Sequence, residues 1–184
     1  MRLGIGMRPA SWIAFAILGL SAVGVTAPSA TRRAVPSDEA LRIRFFDHRA
    51  DFESLVTMAN EDSHLTRIAP DFTWLDNDAG WPRENVGITG QRWSDYKQLF
   101  LRVGTAVGIC RGTDPTRIII PIAAFGLVPT GFEKGIVYSE EPLSPIMKTL
   151  DQRPPDKFWD GPDRSHVLVY KPIENHWYIF YEEW

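Results

Sequence analysis

His48 and Asp51 stand three residues apart in a stretch of helical period, a spacing that puts an imidazole and a carboxylate on one helix face. Histidine titrates near neutral pH and a carboxylate can fix its tautomer, so this pair supplies the catalytic candidates of a small hydrolase: His48 as general base, Asp51 as its orienting acid. The plainer reading of His48 is a helix-stripe residue with one hydrogen bond. No Walker loop, dinucleotide fingerprint, G-x-S-x-G elbow or H-E-x-x-H pair occurs, so the activities written in local motifs are not signalled, and no cofactor is expected. Cys110 is the only cysteine, which excludes an internal disulfide and a multi-cysteine metal site. In Ala106-Val107-Gly108-Ile109-Cys110 it reads as a small buried strand residue. With a two-residue turn at Glu174-Asn175, alternation sends His166 and His176 to opposite sheet faces, so the expected metal set is none.

A second group of polar and aromatic residues suits recognition better than catalysis. Arg67, Asp71 and Trp74 lie on a segment interrupted by Pro70, and Phe158-Trp159 sits in a long proline-rich connection. These five are the candidate binding residues; the alternative is that they pack, with Phe158 and Trp159 plugging one end of the core.

The elements that position these residues follow from periodicity. Ser37 before Asp38-Glu39 is an N-cap followed by acids that suit the positive end of a helix. Leu41, Phe45, His48, Phe52, Leu55, Val56 and Ala59 recur at three- and four-residue steps, predicting one helix over 38–62 that ends in a solvated Glu61-Asp62-His64 cap. Thr89 can cap a second helix carrying Trp93, Tyr96, Leu99, Phe100 and Val103, with Gly104 as its stop. Around these, 65–75 reads as an edge strand or extended crossing because Pro70 lacks a ladder donor, and 76–90 reads as a surface loop. Short β-type runs follow at 106–110, 118–125 and 135–139, with Pro121 marking an edge or a bulge. The terminal runs 165–171 and 176–181 form a hairpin that is apolar on both faces and needs covering. Pro142, Pro145, Pro154, Pro155 and Pro162 keep 140–164 out of the sheet, although Ser144-Pro145 can open a short helix through Leu150. The expected fold class is α+β: an antiparallel sheet of about five strands packed by two amphipathic helices, with an N-terminal apolar helix.

The first 30 residues hold Arg2 and Arg8, no acid, and an uncharged run from Pro9 to Ala30. A basic start before an apolar run reads as a signal peptide or an N-terminal membrane anchor. Cleavage after Ala27 or after Ala30 is hindered by Pro28 in either frame, so both readings stay open. Residues 31–36 form a linker, and 37–184 a single α+β domain. Of 20 basic residues 18 remain beyond residue 30 against 23 acidic ones, a charge of −5 that gives no field for nucleic acid. A 184-residue chain that is 44% hydrophobic can build one domain with a substantial core.

The helix ending near Asp62, the run Arg67-Ile68-Ala69-Pro70-Asp71-Phe72-Thr73-Trp74-Leu75, Arg92-Trp93 with Tyr96 and Phe100, Lys134-Gly135-Ile136-Val137-Tyr138, and Trp177-Tyr178 together resemble a group of small exported bacterial proteins of unknown function. That resemblance covers most of 45–184 and implies a two-layer module outside the cytoplasm, with no activity attached. The resulting expectation is a non-enzymatic exported or membrane-tethered envelope protein that binds another envelope protein or polymer. It reaches the membrane through residues 9–30 if they are retained. A small envelope-acting hydrolase and a periplasmic immunity or inhibitor protein are the alternatives.

Overall fold

The computed structural model describes residues 35–75, 86–111, 116–127, 130–160 and 166–184. Residues 1–30, for which a signal peptide or anchor is expected, most of 31–36 and much of 76–90 lie outside them. Among the described residues no helix is long and apolar enough to cross a membrane.

Among the described residues three α-helices, α1 (Asp38–Asp47), α2 (Arg49–Glu61) and α3 (Gly90–Val103), accompany seven strands. These are β1 (Leu65–Ile68), β2 (Thr73–Leu75), β3 (Ile109–Cys110), β4 (Arg117–Leu127), β5 (Thr130–Ser139), β6 (Val167–Glu174) and β7 (Trp177–Glu183). They form one sheet in the order β2-β1-β3-β4-β5-β7-β6, with every neighbouring pair antiparallel. The sheet therefore has seven strands, not about five. Segment 65–75 does hold an edge of the sheet, as β2, but it is two strands that turn at Pro70, where the missing N–H is needed by no ladder.

The caps hold as expected: Ser37 Oγ accepts from the Ala40 N–H, Thr89 Oγ1 from the Arg92 N–H, and Gly104 ends α3 at φ 80°. The long first helix does not. It breaks at His48 (φ −120°, ψ 24°), whose N–H still bonds to Arg44 while its carbonyl starts α2. The bend carries both Phe45 and Phe52 onto one ring, Trp177, at centroid distances of 5.0 and 6.1 Å. At the end of α2 Glu61 and His64 are exposed as a solvated cap would have them, but Asp62 is not. Asp62 accepts from Arg92 Nε at 2.8 Å and from the Tyr96 hydroxyl at 2.9 Å, joining α2 to α3.

Alternation along β7 divides the core between the two faces. Trp177 joins Phe45, Phe52, Tyr96, Phe100 and Ile136 under the helices, and Ile179 packs with Leu41, Val167 and Val169 on the same side. Phe180 faces the other way, with Ile119, Val137, Tyr170 and Leu143. Trp93 packs against the first cluster and donates from Nε1 to the Ala69 carbonyl at 2.8 Å. Pro121 sits at a bulge in β4, not at an edge, where the register with β5 shifts between Pro121 and Ala123.

No helix opens at Ser144-Pro145. Instead the segment lies along the outer edge of β6, with Tyr170 N–H donating to the Pro145 carbonyl and Met147 N–H to the Tyr170 carbonyl. An edge strand has unpaired donors and acceptors, and satisfying them outweighs the local helix signal. The β6–β7 turn is Asn175-His176 in place of Glu174-Asn175, since Glu174 pairs with Trp177, and a bulge between Pro172 and Glu174 then sets Val167 opposite Glu183. His176 adopts φ 66° there.

Candidate functional site

His48 and Asp51 do meet: Nδ1 lies 3.3 Å from Oδ2. Asp51 also accepts from Arg102 Nε at 2.8 Å, and although partial burial opposes ionisation, the Arg102 and His48 bonds hold its carboxyl below the usual range. The pair sits on the helix surface, with side-chain exposures of 40% and 23%. An exposed imidazole there shares its carboxylate with an arginine, which is a fastening between α2 and α3.

Arg67 and Trp74 are directly paired across β1 and β2, and Trp74 packs on Phe72 at 5.1 Å. Arg67 Nη2 donates to the Val107 carbonyl. Asp71 is exposed in the turn between these strands. Phe158 and Trp159 lie by β6 at the opposite edge of the sheet, packed on the Leu41, Val167 and Ile179 cluster. Trp159 donates to the Pro154 carbonyl and carries Arg153 over its ring at 4.2 Å. The five recognition candidates therefore fall at two separate edges, and the Phe158-Trp159 pair plugs the core. His166 and His176 are kept apart by the length of β7 and not, as the expected register had it, by the two faces of the sheet: His176 lies in the turn, bonded to the Ser139 carbonyl, and His166 at the far end, bonded to Glu182. Among the described residues no three His, Cys, Asp or Glu side chains group to hold a metal.

Sequence reasoning passed over the most concentrated polar site. Lys134 is in phase with Ile136 and Tyr138, so β5 turns it toward the helices, where it is 1% exposed. Its Nζ lies 2.9 Å from Asp38 Oδ1 and 2.9 Å from Asp151 Oδ1. Asp38 Oδ2 accepts from Leu150 N–H (2.8 Å), Lys171 Nζ (3.0 Å) and Thr149 Oγ1 (3.2 Å). Burial alone would raise the Asp38 carboxyl, but the Leu150 N–H and the Lys134 and Lys171 ammonium groups bring it down to about 2. The signal was the parity of a lysine among buried strand residues, which requires a carboxylate partner.

Two hollows flank this cluster and share Pro36 as a wall. One, of about 450 Å³, is lined by Arg44, Gly104, Val107 and Ile122 to Phe125. The other, of about 430 Å³, is lined by Ser37, Phe132, Lys134, Asp151, Arg153 and Tyr181. Phe125, Phe132 and Tyr181 stand side by side across the strands beneath both, with centroids 5.3 and 5.9 Å apart and planes within 26° and 11°.

A further pair lies on the sheet's other face. Glu133 and Glu182 are directly opposite on β5 and β7. Burial pushes the Glu133 carboxyl upward, Arg67 opposes this and Glu182 adds to it, while Glu182 is bonded to His166 Nε2 at 3.0 Å. The domain belongs to the α+β class with a fully antiparallel sheet. Comparison with protein families, curated proteins and solved structures finds no match.

Proposed function

We propose that the protein is a non-enzymatic binding module of the cell envelope, exported and either released or tethered through residues 9–30, that recognises another envelope component. The observation that carries this reading is the ring row Phe125, Phe132 and Tyr181 under two adjoining hollows, with Arg44 and Arg153 at their walls. Half-buried aromatic edges beside guanidinium groups offer an apolar contact with polar anchoring, the composition of a ligand site. The test is retention of envelope-extract components by the immobilised full chain and by a Phe132→Ala variant with an unchanged circular dichroism spectrum. Components held by the native chain and lost by the variant support the reading; identical retention, or none, overturns it.

A small envelope-acting hydrolase is a second reading, resting on Glu133 opposite Glu182. A carboxyl pushed toward its protonated form beside a hydrogen-bonded carboxylate is the arrangement that acid/base hydrolysis requires. Release of soluble fragments from envelope polymer by the native chain, abolished in Glu133→Gln, would establish it in place of the binding role.

A further inference from the structure

Asp151 holds a place in the second hollow that a free carboxylate would fill. Its Oδ1 accepts from the buried Lys134 ammonium at 2.9 Å and from the Asp38 N–H, the first amide of α1, at 2.7 Å. These are the two donor types that bind carboxylates elsewhere in proteins, a charged ammonium and an amide at the positive end of a helix. Asp151 nevertheless faces solvent: its side chain is 44% exposed, and it lies on a segment without helix or strand, followed by exposed Gln152 and Arg153. Leu150, one residue earlier, is buried and fixed by its N–H to Asp38, so the Asp151 side chain can turn outward while the backbone stays anchored.

We propose that the hollow beside Lys134 is a carboxylate-binding site in which Asp151 is the resident occupant, and that a carboxylate-bearing ligand enters by displacing it. Charge balance favours a one-for-one exchange. Asp38, Asp151, Lys134 and Lys171 carry two charges of each sign, and moving Asp151 out leaves one positive charge for the incoming group to neutralise. Asp38 cannot be the exchangeable acid, because Leu150, Thr149 and Lys171 hold its other oxygen and it is 3% exposed. The hollow is far larger than a carboxylate, so a ligand body has room against Phe132 and Tyr181, with Arg153 on the same wall. This deepens the binding role proposed above and rests on it for its biological meaning.

The experiment uses the full chain with acetate and phenylacetate as probes. In an Asp151→Ala variant, acetate should restore thermal stability toward the native value when sodium chloride of equal ionic strength does not. Phenylacetate should bind this variant about ten-fold more tightly than it binds the native chain, since the internal competitor is gone. An Asp151→Ala, Lys134→Met double variant should show neither effect. If the double variant does not fold, amide shifts of the native chain at Asp38 and Asp151 on titration with phenylacetate replace it. Equal responses to acetate and chloride, or no amide shift at those residues, overturn the proposal. Loss of extract retention in Phe132→Ala together with failed acetate rescue would leave the hollow as a binding site and remove only its carboxylate specificity. A stronger response to phenylacetate than to acetate identifies a ligand with an apolar body, and equal responses identify recognition of the carboxylate alone.

Discussion

Lys134 Nζ lies 2.9 Å from Asp38 Oδ1 with both residues buried, a contact that pins the first residue of α1 to the middle of β5. Removing Lys134 leaves the buried Asp38 with Lys171 as its remaining ammonium partner, on the other carboxylate oxygen, and takes the ammonium from Asp151, whereas a well-packed apolar pair can replace a buried ion pair. Lys134→Met should therefore cost about 3 kcal/mol in urea unfolding, the low end for a broken buried pair because Lys171 still faces Asp38. Adding Asp38→Asn should recover part of that loss. A single variant as stable as the native chain would show the pair to be unimportant.

Acid should weaken the same contact. Asp38 is held at about 2 against an ordinary 3.8, so its contribution is full above pH 4 and is lost as pH falls through the folded value. The stability involved is about 2 kcal/mol. Unfolding free energy measured from pH 5 to pH 2 should fall, and the fall should flatten in Asp38→Asn.

His166 should titrate above 6.5. Partial burial opposes its charged form, but Glu182 at 3.0 Å and Asp160 at 3.4 Å favour it more. A raised value means that the bridge stabilises the fold below the unfolded pKa and stops doing so as pH rises through the folded one. Imidazole proton shifts should give a midpoint above 6.5 that moves down in Glu182→Gln.

Cys110 should be slow to alkylate. Burial pushes its thiol up to about 11, with Arg67 opposing, so little thiolate exists near neutral pH. Iodoacetamide at pH 8 should label urea-unfolded chain much faster than native chain. Equal rates would place the thiol at the surface.

Gly104 should not tolerate a side chain. It closes α3 at φ 80°, and an added Cβ would fall 1.7 Å from Arg44 Nη1, which bonds the Val103 carbonyl. Gly104→Ala should cost about 2 kcal/mol from backbone strain alone. Urea unfolding of that variant measures it.

Much of the architecture was readable because it depends on neighbours within a turn or a strand pair. Ser37, Thr89 and Gly104 mark helix ends through bonds spanning three or four residues, and the terminal hairpin announces itself through two adjoining apolar runs. The break at His48 was not readable, since its apolar stripe continues unbroken and only packing of Phe45 and Phe52 on one tryptophan rewards the bend. The run at 106–110 did mark β3, whereas β2, three residues beyond Pro70, is too short to show alternation by itself.

By itself the sequence determined the caps, the amphipathic faces, the closing hairpin and the absence of locally written chemical motifs. Tertiary structure alone decided the seven-strand order, the meeting of Asp38 with Lys134 and Asp151, and the ring row beneath the hollows. The reason is one of range: a cap or a stripe is fixed by bonds and contacts among close neighbours. A buried charge, by contrast, is satisfied by whatever the folded chain brings to it, and for Lys134 that partner is the start of a helix far back in the chain.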